Sequence, residues 1–224
     1  MFDLNAVIQT VSIAALPVLF AITLHEAAHA YVARYFGDPT AEQMGRISLN
    51  PLRHIDPVGT ILIPAMILLL SGAKFMFGYA KPVPVNFGRL RHPKQDMFWV
   101  ALAGPAANLF MALCWALLYR IAVWELPPNA FTSPLTRMSE IGVMINCVLC
   151  VLNLLPLPPL DGGRIVVSLL PRQLAWQFAR IEPWGFVILL ALLFIPIHDA
   201  SILSAIIEPP AIALKDLIFS LVRP

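Results

Sequence analysis

Residues Val7 to Leu24 run for 18 positions without a charge and end directly on His25-Glu26-Ala27-Ala28-His29. With the residues that follow, such a stretch is long enough to cross about 30 Å of hydrocarbon as a helix. Ionisable side chains at that depth are costly, so they point to function before anything else. The H-E-x-x-H spacing has a specific chemical use. Positions four apart share one helix face, so His25 and His29 can reach one metal, while Glu26 lies about 100° around the helix toward the water that the metal would activate. The bland alternative is a pair of packed helix histidines, but two imidazoles and a glutamate would then be desolvated without partners.

The surroundings repeat the apolar theme. Of 224 residues, 59% are hydrophobic and only 12% charged, outside the usual range of soluble domains. Apolar segments fall at about 6–33, 58–72, 97–123, 139–157, 184–198 and 200–222. The expected fold is an all-α polytopic membrane protein with about five transmembrane helices. To these are added a short re-entrant or non-spanning apolar helix at 58–72 and short membrane-associated strands in Met44–Asn50 and Lys74–Val85. A single domain over 1–224 is expected, with a catalytic core at about 6–170 and a C-terminal helix pair over 184–222. The net charge of +2 is too small to argue for nucleic acid. Cys147 and Cys150 form a C-x-x-C on an apolar segment, where core packing is the better reading than metal or redox chemistry. No basic region precedes the first apolar run, so no cleavable signal peptide is expected.

A third metal ligand is needed beside the two histidines, leaving one position open. Asp161 is the best placed, since it ends the apolar stretch Asn153-Leu154-Leu155-Pro156-Leu157-Pro158-Pro159-Leu160 and is followed by two glycines that permit close backbone approach. By itself Asp161 reads better as the cap of a helix beginning at Gly162-Gly163-Arg164, and only the histidine motif turns the reading toward a ligand. If all the segments crossed, the ends carrying His29 and Asp161 would face opposite sides. Segment 58–72 resolves this, because 15 residues make roughly 22 Å of helix and Pro64 interrupts them. With 58–72 not crossing, two of the 15 lysines and arginines (Arg120 and Arg137) lie on one side and 13 on the other. If it does cross, Arg34, Arg46 and Arg53 change sides and the split falls to 10 against 5. The positive-inside rule thus favours the topology the metal needs, with the site near the cytoplasmic face of the membrane.

Taken together, His25-Glu26-Ala27-Ala28-His29, the helix motif Ala103-Gly104-Pro105-Ala106-Ala107-Asn108, and Asn153 with Pro156 and Leu160-Asp161-Gly162 resemble the site-2 protease family of intramembrane zinc metalloproteases. The resemblance runs from about Leu24 to Arg164 and is closest to a compact prokaryotic subgroup. It implies one zinc ion held by His25, His29 and Asp161, Glu26 as general base, and Asn153 holding substrate or the oxyanion. It also implies hydrolysis of peptide bonds in or near the transmembrane segments of other membrane proteins, with the bilayer and a transmembrane substrate as partners. Residues 120–138 leave no room for a PDZ domain, and no cystathionine-synthase-like domain is expected after Pro224. Since a membrane helix shields its own peptide bonds, a substrate must unwind, and an edge strand from Gly45–Asn50 or Phe75–Val85 is a candidate to hold it. The competing readings are a membrane metal or ion transporter and a catalytically inactive scaffold. His54, His92 and His198 read as ordinary loop or interfacial histidines, and Asn108 as a structural helix-contact residue.

Overall fold

The structure, a computed structural model, describes residues 4–53, 81–197 and 200–223, with only isolated positions between 54 and 80. Its first helix, α1 (Leu4–Tyr35), carries the long apolar run, bends around the buried Pro17 and ends where Gly37 takes a positive φ of 105°. A short helical turn, α2 (Thr40–Gln43), follows. The chain then re-enters the bundle at α3 (Pro93–Arg120), which starts on a proline, the residue whose missing N–H costs nothing at that position. One π-type turn, Ile121–Glu125, leads on to α4 (Thr132–Asn153). After the Pro156–Pro159 stretch come α5 (Asp161–Leu169), α6 (Arg172–Ala179), α7 (Glu182–Phe194), a two-residue hairpin of β1 (Pro196–Ile197) with β2 (Ala200–Ser201), and α8 (Ile202–Val222).

The core is where α3, α4 and α8 meet. Trp115, Val143, Cys147, Leu203, Ile207 and Ile218 are buried there together, and Cys147 and Cys150 are free thiols packed among apolar neighbours, as the sequence predicts. The outer faces are apolar as well. Phe20, Trp99, Phe110 and Leu117 are all exposed, a distribution suited to lipid rather than water.

Three helices among the described residues, Ile8–Tyr35, Pro93–Glu125 and Thr132–Asn153, are long and apolar enough to cross a membrane. A fourth span results if α6 and α7, which meet at a bend of 56°, act as one. Three to four candidate spans are thus found among the described residues, where five were expected. The last apolar segment does form a helix, α8, but it carries Glu208, Lys215 and Asp216 and falls short of a span by composition. Neither expected strand forms among the described residues. Gly45–Asn50 is irregular, and 81–86 is extended without a sheet partner, because Pro82 and Pro84 have no N–H to offer a ladder. In place of a ladder, the Arg46 guanidinium donates across the gap to the Lys81 and Pro82 carbonyls. Segment 58–72, His54, Lys74–Ala80 and His198 lie outside the described residues. Phe36 and Arg91, which lie on either side of the sparsely described 54–80, are joined by an Arg91 N–H donated to the Phe36 carbonyl at 3.0 Å.

Candidate metal centre

Helices α1 and α3 pack against each other, and the contact is built on a repeat of four in α3. Val100, Gly104 and Asn108 form one stripe, all buried, facing His29 and His25 on α1. The Nδ1–H of His29 donates to the Val100 carbonyl at 2.7 Å, and the Nδ1–H of His25 donates to Asn108 Oδ1 at 2.7 Å. The amide of Asn108 is oriented by its own partners, since Nδ2 donates to the Ala21 carbonyl at 3.2 Å and to Asn146 Oδ1 at 3.0 Å. Asn146 in turn donates to the Gly142 carbonyl. With both Nδ1 positions protonated, both neutral rings present bare Nε2 lone pairs to each other, 3.1 Å apart.

Gly104 sits between these contacts. A Cβ there would fall on His29 Nε2 and on the His25 ring, so only glycine lets the α3 backbone pass so close to the imidazoles. Gly104→Ala is expected to displace both rings and abolish stoichiometric metal binding, read by metal analysis of the purified variant. Retention of a full equivalent of metal would contradict the packing described here.

Asp161 opens α5, brought to the site by the Pro156–Pro159 turn. Gly162 makes this possible, because a Cβ on it would collide with the Leu154 and Leu155 carbonyls. The helix start has no side-chain cap. Instead, Asp161 Oδ2 lies 3.2 Å from Nε2 of His25 and 3.2 Å from Nε2 of His29, buried and without a hydrogen-bond donor among the described residues.

Three acceptor atoms thus face one another at 3.1, 3.2 and 3.2 Å with nothing to donate between them. A bound cation satisfies that arrangement. In a tetrahedral zinc site with bonds near 2.05 Å, ligand atoms stand about 3.3 Å apart, which matches the triangle. His25, His29 and Asp161 are the one group of three such side chains able to hold a metal among the described residues. The nitrogen and oxygen donors, with imidazole Nδ1–H groups anchored on a carbonyl and an amide, fit zinc and its usual outer shell.

Glu26 sits beside the triangle, half-buried, and its Oε2 accepts the Val83 N–H at 2.7 Å. A cavity of about 150 Å³ is lined by Glu26, His25, His29 and Asp161 together with Asn153, Val83 and Arg164. Asn153 thus lines the same cavity, with its Nδ2 donating to the Leu149 carbonyl at 3.0 Å. All five residues singled out from the sequence therefore come together. Sequence reasoning missed Val83, Arg164 and Gly104 as site residues and assigned Asn108 only a structural role. The spacing of four from Val100 through Gly104 to Asn108 was the available signal. Asn108→Leu is expected to weaken zinc binding by about 10–100-fold, as loss of an imidazole's outer partner typically does, and a competition titration with a chelator checks it. Unchanged affinity would show that the contact is dispensable.

The model for peptidase family M50 matches residues 120–196, a stretch that contains Asn153 and Asp161. A Bacillus subtilis (strain 168) protein named "Putative zinc metalloprotease YwhC" is 40% identical over 181 residues, covering 80% of this chain and 78% of that protein. A Mycolicibacterium smegmatis protein named "Putative zinc metalloprotease Rip2" is 34% identical over 178 residues, 80% of this chain but 65% of that longer protein. Its Mycobacterium tuberculosis (strain H37Rv) namesake is 27% identical over the same share. No solved structure matches the chain.

Proposed function

The chain belongs to peptidase family M50 as a zinc metalloprotease, and from that premise we propose that it cleaves peptide bonds within or beside the transmembrane segments of other membrane proteins. The observation that carries this reading is the acceptor triangle of His25, His29 and Asp161, built on the apolar helix α1 rather than on a soluble face. In the proposal these three residues hold one zinc ion. Zinc bound there supplies a Lewis acid that activates water and polarises a carbonyl.

The chain's own residues do the rest. Glu26 takes the proton of the attacking water and delivers it to the leaving amine. Asn153, at the cavity wall, has a second amide hydrogen left after its bond to Leu149, and this can meet the substrate carbonyl oxygen as charge develops on it. The low dielectric of the helix bundle strengthens each of these interactions. A substrate helix has to unwind before such a site can reach its backbone, because its peptide groups are otherwise paired internally. The lysine and arginine asymmetry supports a site opening toward the cytoplasmic side.

The test is reconstitution of the zinc-loaded protein in lipid vesicles with a reporter bearing one transmembrane segment, followed by mass spectrometry of the products. New termini inside or at the edge of that segment are expected. Termini only in the reporter's soluble regions, or none, would overturn the proposal.

A further inference from the structure

Glu26 has an unusual neighbour for a residue on a membrane helix, namely the backbone of an extended stretch 57 residues away in sequence. In Lys81-Pro82-Val83-Pro84-Val85-Asn86 the two prolines bracket a single N–H, that of Val83, and this hydrogen is the one directed at Glu26 Oε2. Three separate contacts hold the stretch in register. Arg46, itself buried, donates to the carbonyls of Lys81 and Pro82. The Val83 side chain is buried against Ala30 and Ala41, one of them a residue past His29 on α1. At the far end, the Asn86 N–H donates to Asp38 Oδ2 at 2.6 Å. No other hydrogen bond to Glu26 occurs among the described residues, so Oε1 remains available on a side chain that lines the site cavity.

A lone carboxylate on a helix face can rotate among several rotamers. A fixed N–H on one oxygen selects one of them and sets the direction of the other oxygen. The geometry points to Val83, clamped by Arg46, as a positioning element for the general base. Its amide fixes Glu26 so that Oε1 meets the attacking water. This inference rests on the reading of Glu26 as the base, and it assigns a role to a backbone group and an arginine that lie outside the zinc ligands.

Val83→Pro tests it, since a residue preceding Pro84 is already confined to extended backbone. It removes the N–H together with the Val83 side-chain packing on Ala30 and Ala41, which Val83→Ala disturbs alone as the control. In vesicles, zinc-loaded Val83→Pro is expected to lose on the order of 10–100-fold in kcat, as misplacement of a catalytic group does, with KM within about twofold and zinc still bound one to one. Arg46→Met should lower kcat in the same direction, and Arg46→Lys should recover part of it, because an ammonium still donates to carbonyls. Hydrogen exchange supplies a readout independent of activity. In the peptide 82–86 only Val83, Val85 and Asn86 carry amide hydrogens, and Glu26→Ala should unprotect the first while leaving zinc in place. An unchanged or raised kcat in Val83→Pro, or unchanged protection in Glu26→Ala, overturns the inference. Should Val83→Pro fail to fold, the Arg46 pair and the exchange experiment decide. A wild-type protein that cleaves nothing would count against the proposed function instead, and the exchange experiment would still judge the contact.

Discussion

Glu26→Gln is expected to lose cleavage by about 10²–10⁴-fold, the usual contribution of a positioned acid–base group, while keeping a full equivalent of zinc. The substitution is nearly isosteric, and a glutamine oxygen can still accept the Val83 N–H that Glu26 accepts at 2.7 Å. What disappears is the ability to take a proton. The zinc ligands stay untouched, because none of the triangle's atoms belongs to Glu26. The same variant separates the competing functions. A transporter that uses His25, His29 and Asp161 as a cargo site has no need of a base, and its metal flux should survive. Cleavage of a membrane-embedded reporter at the wild-type rate would remove Glu26 from the mechanism.

Asp161→Ala is expected to have the larger effect on metal. The aspartate supplies the one carboxylate oxygen among the three candidate donor atoms. Without it, two neutral imidazoles remain, and they can share a metal only with solvent or adventitious anions. Zinc content of the purified variant should fall from one equivalent to near zero, and cleavage should fall with it. Asp161→Asn, which keeps shape and an oxygen but removes the charge, should sit between the two. Apo-protein of either variant should nonetheless retain the helical bundle, since the core of Trp115, Val143, Cys147 and Ile218 makes no use of the site. A far-ultraviolet circular dichroism spectrum matching wild type checks that point. Near-normal zinc binding in Asp161→Ala would mean that the third ligand is a different residue.

The site was legible in the sequence to the extent that its chemistry is carried by side chains at fixed spacing. His25 and His29 are set by the helical repeat alone, and Asp161 only by its place after the apolar stretch taken together with the histidine motif, since alone it reads as a helix cap. The groups left unseen act through backbone or through absence. Gly104 contributes by lacking a Cβ, Val100 through its carbonyl, and Val83 through its N–H, so side-chain identity says little about any of them. Asn108 shows a different difficulty. It reads as a structural helix-contact residue, and the contact it makes is with His25 and the Ala21 carbonyl on α1. On the fold, apolar periodicity located the long helices, but hydropathy cannot register the 56° bend between α6 and α7. Alternation likewise suggested strands where Arg46, rather than a ladder, links two irregular stretches.

Zinc K-edge X-ray absorption of the purified, zinc-loaded protein tests the central claim most directly, because it counts and identifies the atoms around the metal. The account predicts one zinc per chain in a four-coordinate shell of nitrogen and oxygen at about 2.0–2.1 Å, with an imidazole signature and no sulfur. Sulfur at about 2.3 Å, which would implicate Cys147 and Cys150, or the absence of a stoichiometric zinc ion, would contradict it.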